Sequence, residues 1–175
     1  MTTRRPADER TDLLQLFADE RGKFELTLRD LDEEQARARP TVSDLTLGGL
    51  TKHLATCQRH WVTVVRRNDE HAVLDLGAEQ RQYHLTEQET FADALADHRA
   101  AAELVDGLIR EAELDQLVPL PHVPVWPEQQ WWSVRRILLH LLREISHHAG
   151  HADLIRESLD GANVTRMLLD GSSTP

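Results

Sequence analysis

The residues best suited to chemistry lie in one short stretch near the end of the chain, Glu144-Ile145-Ser146-His147-His148-Ala149-Gly150-His151. Imidazole and carboxylate side chains serve as ligands of divalent metals, as general acids and bases, and as partners in ion pairs. Two pairs in this stretch are four residues apart, His147 with His151 and Glu144 with His148, and residues with this spacing share one face of an α-helix. The stretch therefore offers two alternative pairs of metal ligands.

The two pairs differ in the face of the helix that they occupy. Apolar positions around them recur every three or four residues, and Glu144 and His148 fall within that apolar stripe, whereas His147 falls on the polar face. A ligand must point to where other helices can complete the coordination shell, so the facing favours Glu144 and His148. The stripe that contains them is Val134, Ile137, Leu141, Glu144, His148, His151 and Ile155.

A glutamate on an apolar face needs a partner, because an unpaired buried carboxylate costs several kcal/mol. His53 is the candidate from another helix, since Leu50 and Cys57 mark the inward stripe around it. Two imidazoles and one carboxylate match a catalytic zinc site with open positions, and they also suit nickel, iron or manganese. The residues alone leave a second interpretation open, in which Glu144 and His148 form an ion pair without metal.

Other polar residues on predicted inner faces have plainer interpretations. His98 could act as an acid, a base or a substrate contact, but a hydrogen-bonded core histidine is the more frequent case. Cys57 could line the site, although a free cysteine is commonly a small buried hydrophobe, and as the lone cysteine it excludes an internal disulfide. The remaining histidines receive no role because they fall on outer faces or loops: His60, His71, His84, His122, His140 and His147.

Four long segments with helical periodicity must position these residues, and no segment shows a sustained alternating strand pattern. Helices of about 20 residues with such stripes pack as a four-helix bundle. The sequence therefore predicts an all-α fold, with one domain over residues 1–175 and a frayed tail over 161–175. The predicted helices are Thr11–Arg29, Leu45–Arg67, Thr86–Arg110, which begins at a capping box, and Ser133–Leu159, with one further helical turn at residues 32–36.

A proline-rich loop, Val118–Pro127, precedes the last helix, and its four prolines exclude a helix there. The loop is apolar enough to pack over the bundle. With it, Trp126, Trp131 and Trp132 could form one wall of a pocket and exclude water, although each tryptophan singly is better explained as packing the end of the bundle.

Composition limits what the chain can bind. Its 175 residues carry 30 acidic against 20 basic side chains, a net charge of −10, so the dense basic face of a general nucleic-acid binder is missing. No apolar run approaches the roughly 20 residues of a membrane-spanning helix, and residues 1–6 lead into no signal-peptide apolar region. We therefore expect a soluble, cytoplasmic protein with no membrane partner.

Two stretches carry a resemblance to a known family. They are residues 45–54, Leu-Thr-Leu-Gly-Gly-Leu-Thr-Lys-His-Leu, with Trp61, and residues 132–157, which contain Glu144 and His148. On these residues the sequence resembles the DinB-like superfamily, specifically its actinobacterial branch of mycothiol-dependent maleylpyruvate isomerases and mycothiol S-transferases. The resemblance spans nearly the whole chain in helix order. It implies a DinB-type four-helix bundle with one divalent metal.

Carried over residue by residue, the resemblance implies His53, Glu144 and His148 as the metal ligands, the same set that the facing argument predicts. It also places His151 where many relatives have glutamine, so His151 is expected beside the ligands or in the pocket. The basic residues are 18 Arg and two Lys, which agrees with an actinobacterial source and so favours mycothiol as the thiol.

Three functions are compatible with these residues. In the first, a metal-dependent S-transferase or isomerase, with zinc as the leading metal, joins a low-molecular-weight thiol such as mycothiol to a small electrophile. In the second, the metal is hydrolytic and its bound water is the nucleophile. The third is a metal-binding bundle without catalysis. A homodimer is expected from the habit of the family.

Overall fold

The computed structural model describes residues 8–74, 81–123 and 128–171. Within these ranges most residues are helical, and the one sheet has two short strands, so the predicted all-α bundle is confirmed. In chain order the elements are α1 (Glu9–Thr27), α2 (Glu33–Arg37), α3 (Leu47–Arg67), α4 (Phe91–Glu111), β1 (Leu117–Pro119), β2 (Trp131–Ser133), α5 (Val134–Asp160) and α6 (Val164–Gly171).

The four long helices α1, α3, α4 and α5 turn their apolar faces toward one another and share one core. Helix α3 packs along α4 and α1 packs along α5, while α3 and α5 touch less extensively. Burial of this apolar surface is the main favourable contribution to folding. Side chains with no exposed surface come from all four helices and include Phe17, Leu50, Ile109, Ile137 and Leu141.

Capping residues mark where the helices begin and end. The hydroxyl of Thr46 accepts the Gly49 N–H at the start of α3, and α5 ends at Gly161, whose φ of 78° is a left-handed conformation that glycine adopts without strain. The predicted start of the third helix at Thr86 is wrong. The Thr86 N–H does donate to Glu89 Oε2, but the chain turns there, and α4 begins at Phe91 after its N-cap Thr90.

Two further segments differ from the sequence predictions. Within the predicted proline-rich loop, Leu117–Pro119 forms a strand that pairs antiparallel with Trp131–Ser133, and this pairing sets Val118 opposite Trp132. Proline is tolerated there because a two-stranded sheet has only edge strands. In the predicted tail, Val164–Gly171 forms the short helix α6. Residues 124–127, which include Trp126, lie outside the described residues. Among the described helices, none is long and apolar enough to cross a membrane.

Candidate metal centre

Three side chains from two helices meet between α3 and α5. His53 comes from the second turn of α3, and Glu144 and His148 lie one turn apart in the middle of α5. Each residue offers one ligand atom, and these three atoms all lie within 4.8 Å of one another. The His148 Nε2 to Glu144 Oε2 distance is 3.8 Å, and the two imidazole rings stand nearly perpendicular at 4.6 Å between centroids. We call these residues the triad.

The triad has the donor chemistry and approximate spacing of a zinc site. Two nitrogens and one oxygen are donors that zinc accepts in its catalytic sites. Donors held about 2.1 Å from a tetrahedral ion lie about 3.4 Å from one another, so side-chain shifts of about 1 Å would bring the triad onto such an ion. Both histidines are buried and Glu144 is half-buried, so the three residues fit a divalent cation of this kind.

Burial favours a neutral His148 in the triad, and an arginine lies beside the Glu144 carboxylate. Burial, together with the nearby His53, lowers the pKa of His148 to about 4. His148 is therefore neutral at pH 7, which is the form that binds metal. The Glu144 carboxylate has a full positive charge beside it, because Arg143 Nη2 donates to its Oε1 at 3.1 Å.

The prediction that His140 faces solvent is wrong. Its side chain is half-buried, and its Nδ1 lies 3.6 Å from Glu144 Oε1. Arg143 Nη2 donates to that Nδ1 at 2.8 Å as well as to Glu144, so the guanidinium joins the two side chains. Burial lowers the pKa of His140. The four-residue spacing to Glu144 was the one signal in the sequence that pointed to this contact.

Comparison with known proteins agrees with the fold. The family model described as Mycothiol-S-transferase matches residues 12–161, a range that contains the whole triad. The chain belongs to the mycothiol-S-transferase family. This family is of the DinB-like type, so the resemblance stated from the sequence is confirmed.

A solved structure supports the fold of this family member independently. It is described as a conserved protein from Enterococcus faecalis and has a TM-score of 0.62 and 15% sequence identity, over 90% of this chain and 100% of the other. At that identity the likeness shows the fold alone. No curated protein matches the sequence significantly.

The other two histidines of the stretch take different positions around the triad. His147 is exposed, and its ring contacts the ring of His151 at 4.4 Å. His151 is half-buried, and its Nδ1 lies 3.3 Å from Nδ1 of His148. One of these two nitrogens must carry the hydrogen and the other must accept it. His151 thus contacts a residue of the triad without being part of it.

His98 and Cys57 do not join the triad. His98 is fully buried in the core against Phe24, with its Nδ1 3.4 Å from Gln58 Nε2. Burial lowers the pKa of His98 to about 4. Cys57, one turn after His53 on α3, is half-buried and packs against the core cluster.

Aromatic side chains from α3, α5 and β2 lie together further along α3 from the triad. Trp61 and Trp132 stack almost parallel, with centroids 5.4 Å apart and planes 8° apart. His140 meets both indoles edge-on, at 5.1 and 5.4 Å. Of the predicted wall, Trp132 is therefore present, Trp131 is 46% exposed, and Trp126 lies outside the described residues. The pairing of Trp132 with Trp61 depends on β2 and has no spacing signal in the sequence.

Tyr83 is the residue near the triad that the sequence did not indicate. Its ring stacks on the His53 imidazole at 4.1 Å between centroids, with the planes 16° apart. It comes from an irregular segment before α4, where neither helical nor strand periodicity gives a direction to a side chain. Only the folded position of that segment brings Tyr83 to the site.

Proposed function

We propose that the chain is a metal-dependent thiol S-transferase that joins a low-molecular-weight thiol, with mycothiol the candidate, to a small electrophile. The observation that carries the proposal is the triad, three buried or half-buried donors within 4.8 Å in a member of the mycothiol-S-transferase family. Zinc is the leading metal because its catalytic sites use two or three imidazoles with a carboxylate and keep positions open.

In this proposal His53 would hold the cation from α3, and Glu144 and His148 would hold it from α5. A bound divalent cation lowers the pKa of a thiol that it contacts, which raises the fraction of thiolate near neutral pH. Arg143 balances the charge of Glu144 through its hydrogen bond to Oε1, which leaves Oε2 on the side of His148. His148 presents Nε2 to the site and keeps Nδ1 on His151.

The aromatic pair supplies the place for the electrophile. Trp61 follows His53 by eight residues along α3, a rise of about 12 Å, and Trp132 approaches from β2 to stack on it. Half-buried indoles offer apolar, π-rich surface that binds planar organic molecules and excludes water. An electrophile held there would lie within one small molecule's length of a thiol at the triad.

The reaction balances without an oxidant or reductant. The sulfur of the thiol forms a new bond to the electrophilic carbon, and the leaving group departs with the electron pair of the bond that breaks. The thiol proton passes to solvent. The nucleophilic sulfur belongs to the cosubstrate, since Cys57 packs against the core.

A conjugation assay tests the proposal. The purified, zinc-loaded chain is mixed with monochlorobimane with and without mycothiol, and fluorescence reports the conjugate. We expect turnover that needs mycothiol, falls to background in His53→Ala, and is unchanged in His147→Ala, a matched exposed histidine. Ester or amide turnover without thiol would instead support the hydrolytic function, and no turnover in either assay would leave the metal-binding bundle.

Location and assembly follow from the family resemblance, and we propose a cytoplasmic protein that forms a homodimer. Cell fractionation tests the location. Sizing chromatography with light scattering tests the dimer, since the chain mass is 20.0 kDa. A mass near that of one chain would overturn the dimer and leave the triad proposal untouched.

A further inference from the structure

Tyr83 covers one face of the triad from outside the helical bundle. Its ring lies flat on the His53 imidazole at 4.1 Å, and it meets the ring of His148 more nearly edge-on at 6.1 Å. His53 and His148 come from α3 and α5, whereas Tyr83 comes from the irregular segment that leads to α4. Three separate parts of the chain therefore enclose the two imidazoles.

Two glycines in the first turn of α3 make this approach sterically allowed. A Cβ at Gly49 would lie 2.1 Å from the Tyr83 carbonyl oxygen, and a Cβ at Gly48 would lie 2.6 Å from Leu85 Cδ1. Both distances are far below van der Waals contact. Gly49 precedes His53 by one helical turn on the same face, so the backbone of Tyr83 rests just below the imidazole that its ring covers.

Two cationic side chains hold the same segment in place. Lys52 Nζ donates to the His84 carbonyl at 3.0 Å and forms an ion pair with Glu89 at 2.7 Å. Arg37, at the end of α2, donates through Nη1 to the Leu85 carbonyl at 3.2 Å. Hydrogen bonds from charged donors to carbonyls are stronger than neutral ones, so the backbone around Tyr83 is fixed from both sides.

We propose that Tyr83 is a positioning residue that fixes the orientation of the His53 imidazole toward Glu144 and His148. The terminal torsion of a histidine side chain has a broad energy profile, so the ring needs contacts to hold one orientation. The stacked Tyr83 ring covers one face of the imidazole and restricts its rotation. The Gly48-Gly49 pair is present because this segment must lie against the first turn of α3.

The effect on metal affinity rests on the triad proposed above, whereas the stacking itself can be measured without metal. In the metal-free protein, NMR of the imidazole protons reports the stack, because an aromatic ring 4.1 Å away shifts these protons upfield. Tyr83→Leu should remove this shift and Tyr83→Phe should keep it. Zinc affinity, measured by competition with a chromophoric chelator, should fall about 10-fold in Tyr83→Leu and stay within twofold in Tyr83→Phe.

Two controls separate positioning from general damage. His84→Ala removes the exposed side chain next to Tyr83 but keeps the backbone carbonyl that accepts from Lys52. The imidazole shift and the zinc affinity should therefore both match those of the unmodified chain. Gly49→Ala, which keeps the tyrosine but displaces its backbone, should reproduce the loss seen in Tyr83→Leu. Wild-type zinc affinity in Tyr83→Leu, or equal losses in Tyr83→Leu and Tyr83→Phe, would overturn the inference. If the unmodified chain bound no zinc, the triad would fail, and the NMR measurement would still decide whether Tyr83 stacks on His53, so that an unshifted imidazole would overturn the inference by itself.

Discussion

Glu144 is the residue on which the polar side chains of the site converge. Arg143 Nη2 lies 3.1 Å from its carboxylate, His140 Nδ1 3.6 Å and His148 Nε2 3.8 Å. A carboxylate that is half-buried needs such partners, because losing water around a charge is costly. The guanidinium of Arg143 supplies one positive charge, and burial lowers the pKa values of His140 and His148, so a divalent cation at the triad would meet neutral imidazoles.

His151 controls the hydrogen position on His148. When Nε2 of His148 binds a cation beside Glu144, the hydrogen of its ring must lie on Nδ1, where it can be donated to Nδ1 of His151. We predict that His151→Ala lowers zinc affinity about 10-fold, because the ring of His148 loses its fixed tautomer and orientation. Chelator competition measures this. His151→Gln keeps an acceptor oxygen and should recover most of the affinity, whereas an alanine variant with unchanged affinity would contradict the tautomer argument.

Trp61 and Trp132 are predicted to set the KM for planar electrophiles. Replacing either with leucine removes stacking surface worth about 1 kcal/mol, so we expect KM for monochlorobimane to rise about fivefold with kcat little changed. Steady-state kinetics on zinc-loaded protein measure this. Trp131→Leu is the matched control, because that side chain is 46% exposed. Equal effects of all three substitutions, or a loss in kcat alone, would contradict an electrophile wall at this pair.

The sequence was enough to predict that the three residues of the triad meet, but it was not enough to predict the side chains around them. The helical period fixes which side chains face the core, so Glu144, His148 and His53 were predicted to meet before any coordinates. Tyr83 depends on where an irregular segment lies. His140 was predicted to be exposed because it stands on the polar face of α5, and Trp132, which covers it, belongs to a strand.

At the scale of the elements, helix interiors were predictable and helix ends were less so. The apolar stripes of α1, α3, α4 and α5 appear in the core as predicted. α4 begins later than predicted because Thr86 and Thr90 could each serve as its N-cap. The local sequence does not decide which of the two threonines the helix uses. β1 was not predicted because it contains Pro119, and proline normally argues against a strand.

The packing of α4 on α1 and α3 gives the bundle a pH-dependent stability through His98. Its pKa is about 4 when folded and about 6.5 when unfolded, so the unfolded chain binds more protons between these values. The contribution of His98 to the free energy of unfolding is therefore fully present above pH 6.5, and it is lost as the pH falls toward 4. The total loss from this group is about 3 kcal/mol.

Denaturant unfolding at several pH values tests this contribution. Near pH 5 we predict a smaller slope of the unfolding free energy against pH in His98→Gln than in the unmodified chain. The difference in slope should be about 1 kcal/mol per pH unit. His122→Gln replaces an exposed histidine and should leave the slope unchanged. A His98→Gln slope equal to that of the unmodified chain would show that His98 is already protonated in the folded core.

For the whole molecule, the triad lies at a junction where two helices pack less extensively than the main helix pairs do. α3 lies against α4 and α1 against α5 over long apolar contacts, while α3 and α5 meet over a shorter one. At that junction the sequence replaces aliphatic residues with the triad, the tryptophan pair and His140. α1 and α4 touch less than α3 and α5 do, so the α3–α5 junction is an interface of intermediate extent that carries the polar side chains.

The metal content of the purified chain tests the central claim most directly. Elemental analysis after zinc loading and desalting should find about one zinc per chain, and Glu144→Ala or His148→Ala should reduce it to near zero, because two remaining ligands hold zinc too weakly to survive desalting. His147→Ala, which replaces an exposed histidine of the same stretch, should still bind about one. Full zinc retention in Glu144→Ala and His148→Ala would contradict the assignment of the metal to the triad.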